Sequence, residues 1–323
     1  MKAIVYRRYG SPDVLACEDI ATPAPAENEV LIKVSAAGVN PLDWHFMRGT
    51  PYLVRLMTGI TKPKNTRLGV DVAGVVESVG NSVTQFKPGD AVFGKCSGAF
   101  AEYACAAESW LVMKPSNITF DQAASVHIAG LSALQGLRDH AKLQAGQKVL
   151  INGAAGGVGT FAVQIAKSLG AVVTGVCSSR NVEMIRSIGA DRVIDYTKED
   201  FTQSEQRYDL ILDCIGNHSL SARRRVLTAN GICVMVGGPN VSLWIGPLVA
   251  MLKTVVFSKF VSQRFVMMLT KSNQADLQTL REIMQEGKVT PVIDRCYALT
   301  EVPEAIRYLE EGHARGKVVI TFD

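Results

Sequence analysis

No C-x-x-C pair occurs among the seven cysteines of this chain, and their odd number excludes complete pairing. Cys177, Cys214 and Cys233 lie inside apolar strand-like runs, so they read as reduced core thiols of a cytosol-like compartment rather than a disulfide framework. A large excess of charge of one sign is also missing. Charged residues make up 20% of the chain, the net charge is +4, and no basic block stands out. Nucleic-acid binding is therefore not implied. No uninterrupted apolar run reaches the ~20 residues that a membrane-spanning helix needs. The uncharged stretch Val226–Leu252 is broken by Asn230, Gly231, Gly237, Gly238, Pro239 and Asn240. The N-terminal M-K-A-I-V-Y alternates like a strand and shows no signal-peptide core, which makes the cytoplasm the expected location. Internal repeats and low-complexity segments are missing too.

One local absence carries more weight: no Asp or Glu occurs from Ala171 to Val182. Its meaning depends on what precedes it. Residues Lys148–Gly170 read K-V-L-I-N-G-A-A-G-G-V-G-T-F-A-V-Q-I-A-K-S-L-G. A β-branched apolar run enters a Gly-rich turn, and a helical apolar pattern (Val158, Phe161, Ala162, Ile165, Ala166, Leu169) follows directly. Strand, tight turn and helix in that order build a pyrophosphate corner. Small residues let the backbone approach, and the helix N-terminus meets the negative charge. Ala155, Gly156, Gly157 and Val158 are the candidate cradle. A second buried strand, Ala171–Cys177, ends in Ser178, Ser179 and Arg180. A carboxylate at this point selects NAD by accepting the ribose hydroxyls, whereas Arg and hydroxyl groups suit a 2′-phosphate. Ser178 and Arg180 therefore point to NADPH, with a solvated loop arginine as the alternative.

The length of 323 residues suggests two domains. Residues 1–122 look β-rich, with strands expected at Ala3–Tyr6, Glu29–Ala36, Val70–Val79, Ala91–Phe93 and Ala99–Ala104, separated by Pro/Gly turns. Residues 123–288 alternate strands with helices, as in a doubly wound parallel sheet. Residues 289–323 close with a strand at Lys317–Phe322. The expected fold is α/β, with a cofactor domain inserted between two parts of a β-rich catalytic domain.

Several segments together, K-A-I-V-Y, A-A-G-V-N-P-L-D, G-V-D-V-A-G-V-V, K-P-G-D-A-V-F, A-A-G-G-V-G, L-G-A-D and G-H-A-R-G-K-V-V-I, resemble the medium-chain dehydrogenase/reductase superfamily over essentially the whole chain. Within it the chain is most similar to the zinc-independent quinone oxidoreductase branch, including the reticulon-interacting quinone reductases. The resemblance implies a Rossmann cofactor domain set in a GroES-like catalytic domain, and a homodimer. Where zinc alcohol dehydrogenases carry a ligand Cys and a ligand His, this chain has Asn40 and Val70, and no cysteine lies between Cys105 and Cys177. Catalytic zinc takes three protein ligands and leaves a position open, so no metal is expected. Without a Lewis acid, the chemistry favours acceptors that delocalise negative charge themselves, namely quinones and α,β-unsaturated carbonyls.

The resemblance further implies that Asn40 borders the nicotinamide and hydrogen-bonds its ribose or the substrate. Asp43 is a catalytic candidate, with a turn or helix cap after Pro41 as the alternative. Tyr52 is a candidate donor to an enolate or else an apolar lid residue. His45 reads as a proton relay or a structural histidine, and the role of His127 stays open. Ser132 is a candidate nicotinamide contact or a hydroxyl at the start of a helix. Tyr196 corresponds to a residue near the adenosine phosphate, and Gly237 ends a cofactor-domain strand. His313, Ala314 and Arg315 match a cofactor-contacting loop. The segment Leu243–Leu269 reads as packing over a substrate mouth or a dimer interface, with a membrane-surface role as a weaker reading. Three functions follow. They are an NADPH-dependent quinone or enone reductase, an alkenal or enoyl-thioester double-bond reductase, and an NADPH-binding interaction protein of low turnover.

Overall fold

In a computed structural model, residues 1–236 and 260–322 are described, together with Thr254 and Phe257. Gly237 and residues 243–253, 255–256 and 258–259 of the apolar segment lie outside the described residues. The chain divides into two compact units, Met1–Ile128 with Ser272–Asp323, and Ala129–Lys271.

The first unit begins with the antiparallel ribbon β1 (Lys2–Val5) and β2 (Ala16–Asp19). It continues with β3 (Glu29–Val39), α1 (Pro41–Arg48), α2 (Arg55–Thr58), β4 (Asp71–Val79), β5 (Ala91–Lys95), β6 (Tyr103–Ala107), β7 (Leu111–Met113) and α3 (Phe120–Ala124). Helix α4 (His127–Gln135) carries the chain into the second unit. That unit holds β8 (Lys148–Asn152), α5 (Gly157–Ser168), β9 (Val172–Cys177), α6 (Val182–Ser187), β10 (Arg192–Asp195), β11 (Tyr208–Asp213), α7 (Leu220–Arg225), β12 (Leu227–Met235) and β13 (Arg264–Met267). The chain then returns to the first unit through α8 (Gln274–Gln285), β14 (Ile293–Ala298), α9 (Val302–Glu310) and β15 (Lys317–Thr321).

In the second unit the strands form a parallel sheet in the order β10-β9-β8-β11-β12-β13. The order reverses direction between β8 and β11. A parallel sheet is covered on both faces, so its strands are apolar without alternation. Val149, Leu150 and Ile151 of β8 are fully buried. Ligands of such sheets bind beyond the carboxyl ends of the strands at the point where the order reverses. In the first unit the sheet runs β14-β15-β3-β4-β5-β7, with β6 also pairing β3. All its pairs are antiparallel except β14 with β15. Its core contains Ile32, Val34, Val72, Val92, Phe100, Ile306, Val318 and Ile320.

The cuts between units fall after residues 128 and 271, not after 122 and 288. The reason is the edge of β7. Gln274 Nε2 donates to Leu111 O at 2.8 Å, and Arg281 Nε donates to Met113 O at 3.1 Å. Asn117 Nδ2 reaches Met284 O at 2.9 Å. Helix α8 thus covers a strand edge of the first unit, a long-range arrangement that local periodicity does not reveal. The strand expected at Ala99–Ala104 forms instead at Tyr103–Ala107. Residues 99–101 are held by single pairings, Ala3 with Ala101 and Ile4 N–H to Phe100 O at 2.8 Å.

Candidate active site

The Gly-rich corner takes the predicted form. Gly153 leaves β8 with φ +84°, and α5 starts after Gly156, which gives it no side-chain cap. The N–H groups of the first helical turn are consequently without a side-chain acceptor and can serve an anion. Each glycine contributes differently. A Cβ on Gly159 would come within 2.1 Å of Gly153 O and 2.7 Å of Ala154 Cα, so this position admits no side chain against the turn. A Cβ on Gly156 would meet nothing closer than Gly153 O at 3.5 Å. Space therefore remains above Gly156 for a ligand to approach the backbone. These features fit the pyrophosphate of a dinucleotide. Ala155 is buried, while Gly156, Gly157 and Val158 are half-buried beside the same opening.

A buried polar network supports that corner. Asp213, at the end of β11, accepts from Asn152 Nδ2 at 2.9 Å and from the backbone N–H groups of Ile215 and Gly216 at 3.0 and 2.8 Å. Its other oxygen lies 2.6 Å from Arg223 Nε, with both side chains out of solvent. The sequence reading missed Asn152, Asp213 and Arg223. The available signal was the ending of two apolar strand runs, V-L-I-N and Y-D-L-I-L-D, in a polar residue that points to the carboxyl end of the sheet.

The structure brings Ser178, Arg180 and Tyr196 together at the ends of β9 and β10, where Tyr196 N–H donates to Cys177 O at 3.0 Å. Arg180 and Tyr196 are exposed, and Ser178 is half-buried. The register also brings a carboxylate to this corner, since Asp195 of β10 pairs with Cys177. Linear spacing conceals it. Ser179 Oγ donates to Asp195 at 2.5 Å, Thr197 Oγ1 at 2.7 Å, and Lys198 Nζ stands 3.3 Å away. The bond from Ser179, followed by that from Thr197, holds the Asp195 carboxyl far below the usual carboxylate range. Its oxygens are thereby engaged within the protein. Ser132 is not at the start of α4 but inside it, buried and hydrogen-bonded to Thr270 Oγ1 at 2.6 Å.

In the first unit, Asn40 and Asp43 form a capping box on α1. Asp43 Oδ2 accepts the Asn40 N–H at 2.8 Å, and Oδ1 accepts the Gly69 N–H at 3.2 Å. The cap reading of Asp43 thus has direct geometric support. Two further buried charges share this place. Lys317 Nζ donates to Asn40 Oδ1 at 2.6 Å and lies 3.7 Å from Asp71 Oδ2. The strand ends bring them together, because Val318 pairs with Val39 and Asp71 pairs with Gly38. A Cβ on Gly38 would meet Ala124 O at 2.4 Å and Asp71 Cβ at 3.1 Å, so only glycine fits at the crossing. Lys317 and Asp71 escaped the sequence reading, although a lysine beginning an apolar strand and an acid in G-V-D-V-A-G were visible irregularities.

Burial pushes the Asp43 carboxyl up to about 7, with Asn40 N–H opposing and the Asp71 charge adding to the rise. Burial likewise raises Asp71 and lowers Lys317, each opposed chiefly by the other's charge. A folded-state value above the unfolded one gives stability at low pH that fades as pH rises through the folded value. The Asp43 contribution is thus complete below pH ~4, the ordinary carboxylate value, and is lost up to about pH 7. Relative to Asp43→Asn, the wild-type chain is expected to lose up to ~1.4 kcal/mol of stability per pH unit across that window. Denaturant titrations of both proteins at successive pH values check this, and parallel pH profiles would contradict the assignment.

The remaining candidates in the first unit have other hydrogen-bond or ring partners. His45 Nδ1 contacts Thr50 O at 2.7 Å, which favours the structural reading. The Tyr52 ring stacks 4.7 Å from the Arg55 guanidinium. His127 is buried with Nε2 3.0 Å from Ser272 Oγ, and burial, aided by Lys95 and Lys317, lowers it to about 3. It is neutral at ordinary pH. His313 and Arg315 are exposed after α9, Ala314 is half-buried, and the Arg315 N–H donates to Asp294 Oδ2 at 2.8 Å.

A doubly wound dinucleotide sheet and an antiparallel domain carrying Asn40 define a dehydrogenase/reductase class of protein. The comparisons agree. Residues 26–116 match the alcohol dehydrogenase GroES-like domain, and residues 188–320 match the zinc-binding dehydrogenase family. The chain is 34% identical to a chloroplast envelope quinone oxidoreductase homolog of Arabidopsis thaliana, covering 99% of this chain and 98% of the relative. It is 36% identical to an NADPH-dependent alkenal/one oxidoreductase of the same plant, covering 99% and 79%. The solved quinone oxidoreductase from Coxiella burnetii superposes with a TM-score of 0.86 at 32% identity, over 100% of this chain and 99% of that one. The protein belongs to the quinone oxidoreductase group of the medium-chain dehydrogenase/reductase superfamily.

Zinc does not fit the residues present. Val70 offers no donor atom, and the Asn40 carboxamide oxygen is already bonded to Lys317.

Proposed function

We infer that this protein is an NADPH-dependent oxidoreductase that transfers a hydride to a quinone or an α,β-unsaturated carbonyl without a metal. The observation that carries the cofactor is the uncapped start of α5, entered from the central strand through a turn open above Gly156. The acceptor class rests on the names of the relatives and on a site with no zinc ligand at Val70. When bound, the nicotinamide supplies the hydride. The chain's own residues bind and orient. Gly156, Gly157 and Val158, with Ala155, cradle the pyrophosphate by their backbone. Ser178, Arg180 and Tyr196 receive the 2′-phosphate, because Asp195 is satisfied by its own neighbours and does not claim the ribose. The family resemblance assigns Asn40 to the nicotinamide ribose or the substrate, Tyr52 to the substrate, Ser132 to the nicotinamide, and His313, Ala314 and Arg315 to the cofactor. Asp43 acts by fixing the Asn40 backbone.

We further propose a cytoplasmic homodimer. Supporting the dimer, β13 has a strand partner on one side only among the described residues, and exposed Phe260 and Leu269 flank it. Sedimentation of a single monomeric species would contradict that. No helix among the described residues is long and apolar enough to cross a membrane.

The deciding assay follows loss of reduced nicotinamide with a quinone, with an enone, and with no acceptor. Turnover with either conjugated acceptor supports the reading. Tight NADPH binding without turnover would favour a binding protein instead. In the same assay Arg180→Ala is expected to reduce the preference for NADPH over NADH by about tenfold, the order of one charge-assisted hydrogen bond. An unchanged ratio would remove Arg180 from the phosphate site.

A further inference from the structure

A carboxylate opposes phosphate binding, yet the ends of β9 and β10 carry one. Asp195 pairs with Cys177 in the register of the two strands, beside the start of the Ser178–Arg180 segment. Ser179 Oγ donates to Asp195 Oδ2 at 2.5 Å, and Thr197 gives its hydroxyl and its backbone N–H to Oδ1 at 2.7 and 3.1 Å. These bonds hold the carboxyl so far below the usual carboxylate range that it is an anion at any working pH. Its charge repels a phosphate held by Ser178 and Arg180. Arg180 alone would do no more than cancel Asp195, leaving the corner without net charge.

The chain after β10 supplies a second cation. The Lys198 and Glu199 N–H groups both donate to Asp195 O at 3.0 Å, which turns the chain back on itself. The Lys198 ammonium thereby stands 3.3 Å from Asp195 Oδ2, the same oxygen that Ser179 holds. It is a neighbour, across one atom, of the hydroxyl that lies between Ser178 and Arg180 in the chain. The Lys198 side chain is 74% exposed, against 12% for Asp195. An ammonium has three donors, and Asp195 is its one ion-pair partner among the described residues. The remaining N–H groups are open to a ligand. The next charges on either side, Arg192 and Glu199, are opposite in sign and both act on Tyr208.

We propose that Lys198 binds the 2′-phosphate and supplies the charge that makes NADPH preferred over NADH, with Asp195 as the fixed anion that holds its ammonium beside Ser179. This rests on the reading of Ser178, Arg180 and Tyr196 as the 2′-phosphate site, and it completes the charge of that site. A phosphate monoester carries about two negative charges at neutral pH. Arg180 and Lys198 together face it with two positive ones. Ser179 and Thr197 keep the carboxylate engaged, so it anchors the lysine without competing for ribose hydroxyls.

The test measures dissociation constants of NADPH and NADH by fluorescence titration for the wild-type chain, Lys198→Met, Lys198→Arg and Arg180→Ala. The Lys198 side chain is exposed, so its loss costs little stability, and thermal melts check that each variant is folded. Lys198→Met is expected to move the ratio of the two constants about fivefold toward NADH, the upper range for an exposed ion pair. Lys198→Arg keeps the charge and is expected to hold the ratio within about twofold. The Debye length shortens from ~10 Å at 0.1 M salt to ~3 Å at 1 M, so the difference between wild type and Lys198→Met should shrink with salt. Relative affinity for adenosine 2′,5′-bisphosphate over 5′-AMP should move in the same way, which reads the phosphate without the nicotinamide. An unchanged ratio in Lys198→Met, or equal losses for both cofactors, would overturn the proposal. If Arg180→Ala shifts the ratio and Lys198→Met does not, the phosphate site stands and Lys198 is no part of it. If the wild-type chain binds NADPH no better than NADH, and the bisphosphate no better than 5′-AMP, the phosphate site itself falls and the proposal with it.

Discussion

Gly159→Ala is expected to destabilise the protein by about 3 kcal/mol, at the upper end of overpacking costs, and to weaken NADPH binding at least about tenfold, equivalent to ~1.4 kcal/mol. The large effect has a specific cause. The added carbon would stand 2.1 Å from Gly153 O and 2.7 Å from Ala154 Cα, both backbone atoms that no rotamer change can move aside. The whole corner between β8 and α5 must shift, and the cradle shifts with it. Gly156→Ala separates the two consequences. Its φ of −80° suits any residue, and its nearest neighbour would be 3.5 Å away. Stability should stay within the ~0.5 kcal/mol typical of neutral sites. Affinity for NADPH should fall about as far as in Gly159→Ala, because the methyl group fills the approach to the backbone. Thermal melts and fluorescence titration measure both quantities. Wild-type affinity in Gly156→Ala would show that no phosphate approaches the turn.

Arg223→Met carries the second large effect. Removing one partner of a buried pair leaves a charge without compensation, and such losses run to about 3–5 kcal/mol. Asp213 keeps its bonds from Asn152, Ile215 and Gly216 but loses the one cation at its other oxygen. At about 2–4 °C per kcal/mol for a domain of this size, the melting temperature should drop by roughly 6–20 °C. Replacing both members, Asp213→Asn with Arg223→Met, should recover part of the loss, since the uncompensated charge is then gone. A shift below about 1 kcal/mol in the single variant would mean that the pair behaves like a solvated one. The functional reading follows the same path. Asp213 holds the amides of Ile215 and Gly216 at the end of β11, beside the reversal point of the sheet, so NADPH affinity should fall together with stability.

Much of the second unit was legible because its signals are local. Apolar runs without alternation mark β8, β9 and β11, and the glycines between β8 and α5 mark the corner. The strand expected at Ala171–Cys177 forms at Val172–Cys177, where its apolar run placed it. The NADPH argument was only half legible. The missing acid between Ala171 and Val182 was visible, but Asp195 reaches the same corner from the next strand. Only the hydrogen bonds from Ser179 and Thr197 show that it is occupied.

Asn40 and Val70 could be read as a departure from zinc ligands, because the surrounding motifs aligned them. What stands in place of a ligand set could not be read. Lys317 is 277 residues from Asn40, and they meet because β15 lies antiparallel beside β3 while β4 brings Asp71 from the other side. Sequence alone determined the class of fold, the Gly-rich strand–turn–helix corner and the lack of a donor at residue 70, since each depends on residues close along the chain. Tertiary structure alone decided that Asp43 is a helix cap, that Asp195 is engaged, and that a buried ammonium orients Asn40. Hydrogen bonds and charge pairs of that kind are set by strand register and burial, which bring distant residues within ångströms and leave no periodic trace in the chain.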